Sequence, residues 1–188
     1  ATDRGFIQIP DGVRTVVEIL KEEGYFTLAF NSNPLLTYYR CYGRGFDRCE
    51  GLFEKARLRG VKRGIRLIER FVFKRPRLAS PTPEEVNKRT LSLFRRFGKS
   101  PFFLWVHHMN VHVPYLPPRK FLKEVSGDII SYQEMLDLEA KRKKSSEVSG
   151  KDIQKLIALY DAEVRYVDQC IGEFMEELQQ VGIDLGNT

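Results

Sequence analysis

The sequence lacks any apolar run approaching the ~20 residues that a membrane-spanning helix needs, which argues against such a span anywhere in its 188 residues. The opening Ala1-Thr2-Asp3-Arg4 has no basic segment followed by an apolar one, so no secretory leader is read there. Cysteine is scarce. Cys41, Cys49 and Cys170 are odd in number, scattered, and without the spacing of a zinc knuckle; this speaks against a disulfide scaffold and for a reducing, cytoplasmic compartment. No internal repeat is present. What remains is an ordinary globular balance, 42% hydrophobic and 30% charged, which excludes disorder over the whole length. The net charge of +6 raises the expectation of an anionic partner.

Val13, Val16, Val17 and Leu20 recur at helical spacing, and Gly24 stands where a C-terminal glycine cap belongs, so a helix is predicted over 12–23. The short apolar run Tyr25 to Phe30 follows and predicts a buried strand. Asn31-Ser32-Asn33-Pro34 ends it as a turn, and Tyr42 to Asp47 reads as an irregular loop. Thr82-Pro83-Glu84-Glu85 combines a capping box with proline at the first helical position. It opens a helix whose stripe is Val86, Thr90, Leu93, Phe94 and Phe97 and which Gly98 closes.

Phe102 to His108 is apolar on both faces, as a parallel strand covered by helices should be. A loop from Met109 to Pro118 carries three prolines. Ser131 and Glu134 form another capping box, opening a helix to about Lys144, and Ser145 to Gly150 reads as a flexible connection. A long helix is predicted over 152–181, with Ile153, Leu156, Ile157, Tyr160, Val164, Val167, Ile171, Phe174, Met175 and Leu178 on one apolar face and Gly182 at its end.

Helices alternating with short apolar strands predict an α/β fold with a mostly parallel sheet flanked by helices. Only two strands are evident, too few to cover helices this apolar. The last helix also ends in a turn that should feed a further strand. The expectation is therefore a domain truncated at both ends, with exposed apolar faces that favour self-association.

All three histidines sit together in Trp105-Val106-His107-His108-Met109-Asn110-Val111-His112-Val113-Pro114-Tyr115. They lie at the C-terminal end of the second predicted strand, where open α/β sheets place their sites. Three alternatives stand. His107 and His108 could be strand-end residues satisfied by backbone groups. His108 and His112 are four apart, but that spacing makes a zinc pair mainly on a helix, and Val111, Val113 and Pro114 argue against one. His112 could donate a hydrogen bond or a positive charge to an anionic substrate.

The segment Phe102 to Tyr115 resembles the strand of sulfatases that runs into a His-x-Pro loop. Gly24-Tyr25-Phe26-Thr27 with Leu28-Ala29-Phe30 resembles the helix-then-strand segment after the family's nucleophile region. Gly45-Phe46-Asp47 resembles the short element downstream of it. Leu159 to Asp168 resembles the helix that precedes the family's second metal motif. The four segments occur in the family's order and cover most of the chain.

The resemblance implies an alkaline-phosphatase-like α/β domain, with residues 1–188 an incomplete sulfatase-like catalytic domain carrying a basic insertion at about 55–80. It implies hydrolysis of sulfate esters by a formylglycine nucleophile on a divalent metal, usually calcium. His112 matches the histidine that contacts the sulfate, and is taken as both catalytic and substrate-binding. No Cys-x-Pro-x-Arg or Ser-x-Pro-x-Arg motif occurs, and neither does the first-strand aspartate pair, so no metal ligand is assigned and the segment alone is expected to be inactive. The alternatives are a phosphate-ester hydrolase or phospho-transferase of the same superfamily, and a non-catalytic basic binding module.

From Lys55 to Arg77 ten basic residues stand against one acidic residue, Glu69. That stretch reads either as a solvated helix face with a loop or as a rim that attracts polyanions such as a sulfated polysaccharide. Tyr38, Tyr39 and Tyr42 could stack on sugars or pack locally. The expected partners are a sulfated small molecule or polysaccharide. No nucleic-acid motif accompanies the charge, and no membrane contact is expected.

Overall fold

Among the described residues, Phe26–Asn31 (β1) is the middle of three parallel strands, with Arg48–Gly51 (β2) on one side and Phe102–His107 (β3) on the other. β1 meets β3 from Phe26 opposite Phe102 to Asn31 opposite His107, and meets β2 from Leu28 opposite Arg48 to Asn31 opposite Gly51. The computed structural model describes residues 9–10, 12–33, 43–51, 81–97, 101–127, 130–144 and 148–188. Tyr38, Tyr39, Cys41, Tyr42, the basic stretch Lys55–Arg77 and Gly98 lie outside those residues. The described residues divide into two compact units between His108 and Met109.

The first unit holds the sheet with Val16–Glu22 (α1) and Pro83–Phe97 (α2). Successive strand residues point to opposite faces, and each face has its own helix. Ala29 packs with Val17 of α1 and with Phe46, flanked by Phe103 and Trp105. Phe30 packs with Val86 of α2, flanked by Leu93 and Val106. β1 is thus buried on both sides, as its unbroken apolar run predicts.

Helix α1 starts later than the valine spacing predicts. Thr15 is its N-cap: Glu18 N donates to Thr15 Oγ1 (3.2 Å) and Thr15 N donates to Glu18 Oε2 (2.8 Å). This box outweighs one more apolar turn, because it satisfies two amides that otherwise have no intrahelical partner. Helix α2 begins as predicted, with Thr82 and Glu85 exchanging bonds of 3.1 and 3.3 Å. Val86, Thr90 and Phe94 are buried, as are Asn87 and Leu91.

The parallel α/β class agrees with the sequence pattern, but the strand count does not: β2 is a third strand. Arg48-Cys49-Glu50-Gly51 has no β-branched or aromatic residue, and its Arg48 and Glu50 suit an edge. What aligns it is the turn before it. Thr27 N donates to Asp47 Oδ2 (2.9 Å) and Thr27 Oγ1 donates to Gly45 O (2.8 Å). Asp47 N returns a bond to Thr27 O (2.9 Å), and Lys21 Nζ lies 2.6 Å from Asp47 Oδ1. The partners and Lys21 hold the Asp47 carboxyl below its usual range, against the opposing effect of burial.

The second unit holds Arg119–Ser126 (α3), Tyr132–Lys144 (α4) and Gly150–Gln180 (α5), followed by a 3-10 turn at Leu185–Asn187. Helix α3 was not predicted. It is short and follows Pro117-Pro118, which reads as loop, yet Phe121 and Leu122 are almost wholly buried. Helix α4 starts at the expected cap, Ser131, whereas α5 starts two residues earlier than predicted, at a capping box of Ser149 and Asp152.

The buried face of α5 overlaps the predicted one only in part: Val167, Phe174 and Leu178 are buried as predicted, and Leu156 packs against the core. Leu159, Ala162, Tyr166 and Cys170 pack with Phe121, Leu122, Ile130, Met135 and Leu138. Ile153, Ile157, Tyr160, Val164, Ile171 and Met175 are instead 39–48% exposed. The cluster residues and the exposed ones are roughly 150° apart around the axis at 100° per residue. Among the described residues no helix is long and apolar enough to cross a membrane.

Gly45 has φ +89°, and a Cβ there would stand 2.7 Å from Glu18 N and 3.0 Å from Val17 C. Gly24 has a similar φ of +87° but open space around it. Gly45→Ala should therefore cost about 2–4 kcal/mol and Gly24→Ala about 1–2 kcal/mol, read from chemical-denaturation midpoints. Equal losses at the two sites would show that backbone conformation alone governs Gly45.

Candidate functional site

β3 ends at His107, whose ring lies edge-on to Trp105 with centroids 6.2 Å apart. Its backbone oxygen accepts from Ser32 N (3.1 Å) and Ser32 Oγ (2.6 Å), which ties the end of β3 to the residue just after β1. The imidazole is half-buried, and burial lowers its pKa from the ordinary histidine value of 6.5. His108 is shifted the same way, first by burial and then by His107 beside it. Its Nδ1 is buried with no hydrogen-bond partner among the described residues.

In the second unit, Asn110 is buried, and its Oδ1 has no hydrogen-bond partner among the described residues. His112 N donates to Met109 O (2.9 Å), which closes a turn. The His112 side chain is exposed, and its Nδ1 lies 2.9 Å from Val113 O. A carbonyl oxygen can only accept, so that contact requires the proton on Nδ1. Nε2 is then a lone-pair acceptor on the neutral ring and a donor only on the imidazolium. Pro114, Pro117 and Pro118 follow and restrict the backbone.

The loop is tied to α5 at two points. Tyr115 meets Tyr160 edge-on with centroids 5.5 Å apart, and Leu116 N donates to Glu163 Oε1 (2.8 Å). Glu163 is 2% exposed. Burial raises its pKa to about 7, with the Leu116 amide pulling the other way. The resemblance covers this helix but gave Glu163 no role. Nothing local marks it, because Asp161 and Arg165 stand two residues to either side and make it read as one more charge on a solvated helix.

His107 and His108 belong to one unit and His112 to the other. Among the described residues no three of His, Cys, Asp and Glu come together to hold a metal ion. Cys49-Glu50-Gly51 and Cys170-Ile171-Gly172 lack the proline of a formylglycine motif. The residues present therefore do not fit the implied metal and nucleophile. What the loop offers is one exposed imidazole on a constrained backbone, suited to contact an anion.

The sequence profile of the sulfatase family matches residues 2–185, nearly the whole chain. No curated protein sequence matches it.

A histidine whose folded-state pKa is lowered favours the neutral ring, so the folded state binds fewer protons than the unfolded one. That stability is full above the unfolded value of 6.5 and is lost as pH falls from 6.5 through the depressed folded values of His107 and His108. His108→Leu should therefore lose less stability than the wild type between neutral and acidic pH, as measured by urea unfolding at a series of pH values. Parallel pH curves for the two proteins would refute this.

Proposed function

The chain belongs to the sulfatase family, and on that footing we propose that it contributes the sulfate-contacting loop of a hydrolase acting on sulfate esters, with His112 as the contacting group. The observation that carries this reading is the exposed His112 imidazole on a proline-restricted loop, directly downstream of a strand in a parallel sheet. As the S–O bond breaks, negative charge grows on the bridging oxygen and on the sulfate. A donor fixed beforehand at that point stabilises the transition state without reorganising. With Nδ1 turned to Val113 O, Nε2 is the nitrogen left for this contact.

The attacking group and the Lewis acid of the family's chemistry are not among the described residues, and no step is assigned to them here. The substrate is proposed to be a sulfated small molecule or polysaccharide, in keeping with the net charge of +6.

His112→Ala should lower turnover of an aryl sulfate by the full-length protein by roughly 10²–10³. Its unfolding midpoint should change little, because the ring is exposed and its hydrogen bond is to the adjacent residue. His107→Ala should mainly lower stability through the lost Trp105 contact. Full activity in His112→Ala, with activity abolished in a stably folded His107→Ala, would reverse the assignment of the two histidines.

A further inference from the structure

Glu163 is the one carboxylate in the second unit that is almost wholly buried and makes no ion pair among the described residues. Glu139, the other buried acid there, pairs with Arg142 (3.1 Å). An apolar side chain of similar size would fill the Glu163 position at less cost, because a buried carboxyl must give up its hydration. What the carboxyl adds is a bond to the loop. Its Oε1 accepts from Leu116 N at 2.8 Å, four residues beyond His112.

Upstream, the turn from Met109 O to His112 N closes at 2.9 Å. Between the two ties lie Val113, Pro114 and Tyr115, and the Tyr115 ring is held edge-on to Tyr160, one turn before Glu163 on α5. His112 is thus bracketed by two backbone anchors, and α5 supplies the downstream one.

We propose that Glu163 is the positioning residue of the His112 loop, fixing through the Leu116 amide the backbone that presents the imidazole to substrate. This rests on the reading of His112 as the sulfate-contacting group. Glu163 touches no reacting atom; it acts through Leu116.

A carboxylate accepts an amide hydrogen bond more strongly than a neutral acid does, so the grip on Leu116 follows Glu163 ionisation. Burial places that ionisation at about pH 7. The charged groups on the elements packed around the cluster engage one another. Glu139 pairs with Arg142 on α4, Glu124 of α3 lies 3.7 Å from Arg165 of α5, and Glu134 and Asp152 pair with Lys155 and Lys141. Lys120 lies over the Phe121 ring. None of these is a cause of the Glu163 shift, which comes from burial and the Leu116 amide. Because the folded value is raised above 4.5, global stability falls as pH rises from there to about 7, while ionisation in the folded state tightens the loop.

The test compares wild type, Glu163→Gln and Glu163→Met in the full-length protein. Hydrogen exchange and the chemical shift of the Leu116 amide are followed with pH, and kcat and KM are measured for an aryl sulfate. The wild-type Leu116 resonance should titrate with an inflection near pH 7, and that of Glu163→Gln should not. Glu163→Met should lose at least tenfold protection at Leu116 and about tenfold in kcat with an unchanged or raised unfolding midpoint. Glu163→Gln, which keeps an acceptor, should recover most of both. A Leu116 amide indifferent to pH and to Glu163→Met would overturn the proposal. So would wild-type kcat in a stable Glu163→Met when His112→Ala is impaired. Full activity in His112→Ala would instead remove the reading of His112, whatever Leu116 does.

Discussion

Thr27 has no solvent exposure, yet its amide and hydroxyl are the points on which the sheet's alignment turns. The amide and hydroxyl give bonds to Asp47 and Gly45, and Asp47 N returns one to the Thr27 carbonyl. These bonds fix Asp47 beside β1, and the next residue, Arg48, then falls opposite Leu28. A four-residue strand with poor β propensity can pair in register because its first partner is already set. Lys21 binds the other oxygen of Asp47, so α1 is tied to the same point. Gly45 completes the arrangement, since its backbone passes α1 closer than any side chain would permit. Removing the Thr27–Asp47 bonds would release a strand edge, a helix and a turn together, and would leave buried polar groups unpaired.

Much of this unit was legible from sequence. The unbroken apolar runs of β1 and β3 mark strands covered on both faces, and Thr82 with Glu85 marks the start of α2. β2 was not legible, because its alignment comes from a side-chain bond spanning 20 residues and not from its own composition. The late start of α1 was legible in principle: Thr15 and Glu18 form the same box as Thr82 and Glu85, but Val13 extended the apolar spacing one turn too far. Helix α3 is eight residues long, too short for periodicity to separate it from the proline-rich loop before it.

Helix α5 shows a different limit. Over 31 residues its sequence carries two apolar stripes, and hydropathy favours the one rich in isoleucine and valine. The stripe that packs has Ala162, Glu163 and Cys170 in it. Leu159, Tyr166, Phe174 and Leu178 share that face and supply its apolar area, so a count of isoleucine and valine does not tell which stripe packs. A carboxyl in the packed stripe looks like an outward position until its partner on the loop is known. The same fact hid Glu163 from sequence reasoning, since nothing local distinguishes a glutamate that faces solvent from one that faces a backbone amide 47 residues away.

The histidine cluster was legible as a cluster but not as a division of labour. Read along the chain, His107, His108 and His112 share a strand exit. In the structure the chain changes unit between His108 and Met109. His107 belongs to the sheet, with its carbonyl held by Ser32 and its ring against Trp105. His112 belongs to the helical unit, where its turn closes on Met109 and its loop is tied to α5 through Leu116. A strand exit supplies direction, but a side chain that must meet growing charge also needs a fixed backbone. For His112 that backbone is restricted by three prolines and held by one buried carboxyl. The precision of the loop is therefore a property of the α3–α4–α5 core, and it persists only while that core keeps Glu163 dry and aligned with Leu116.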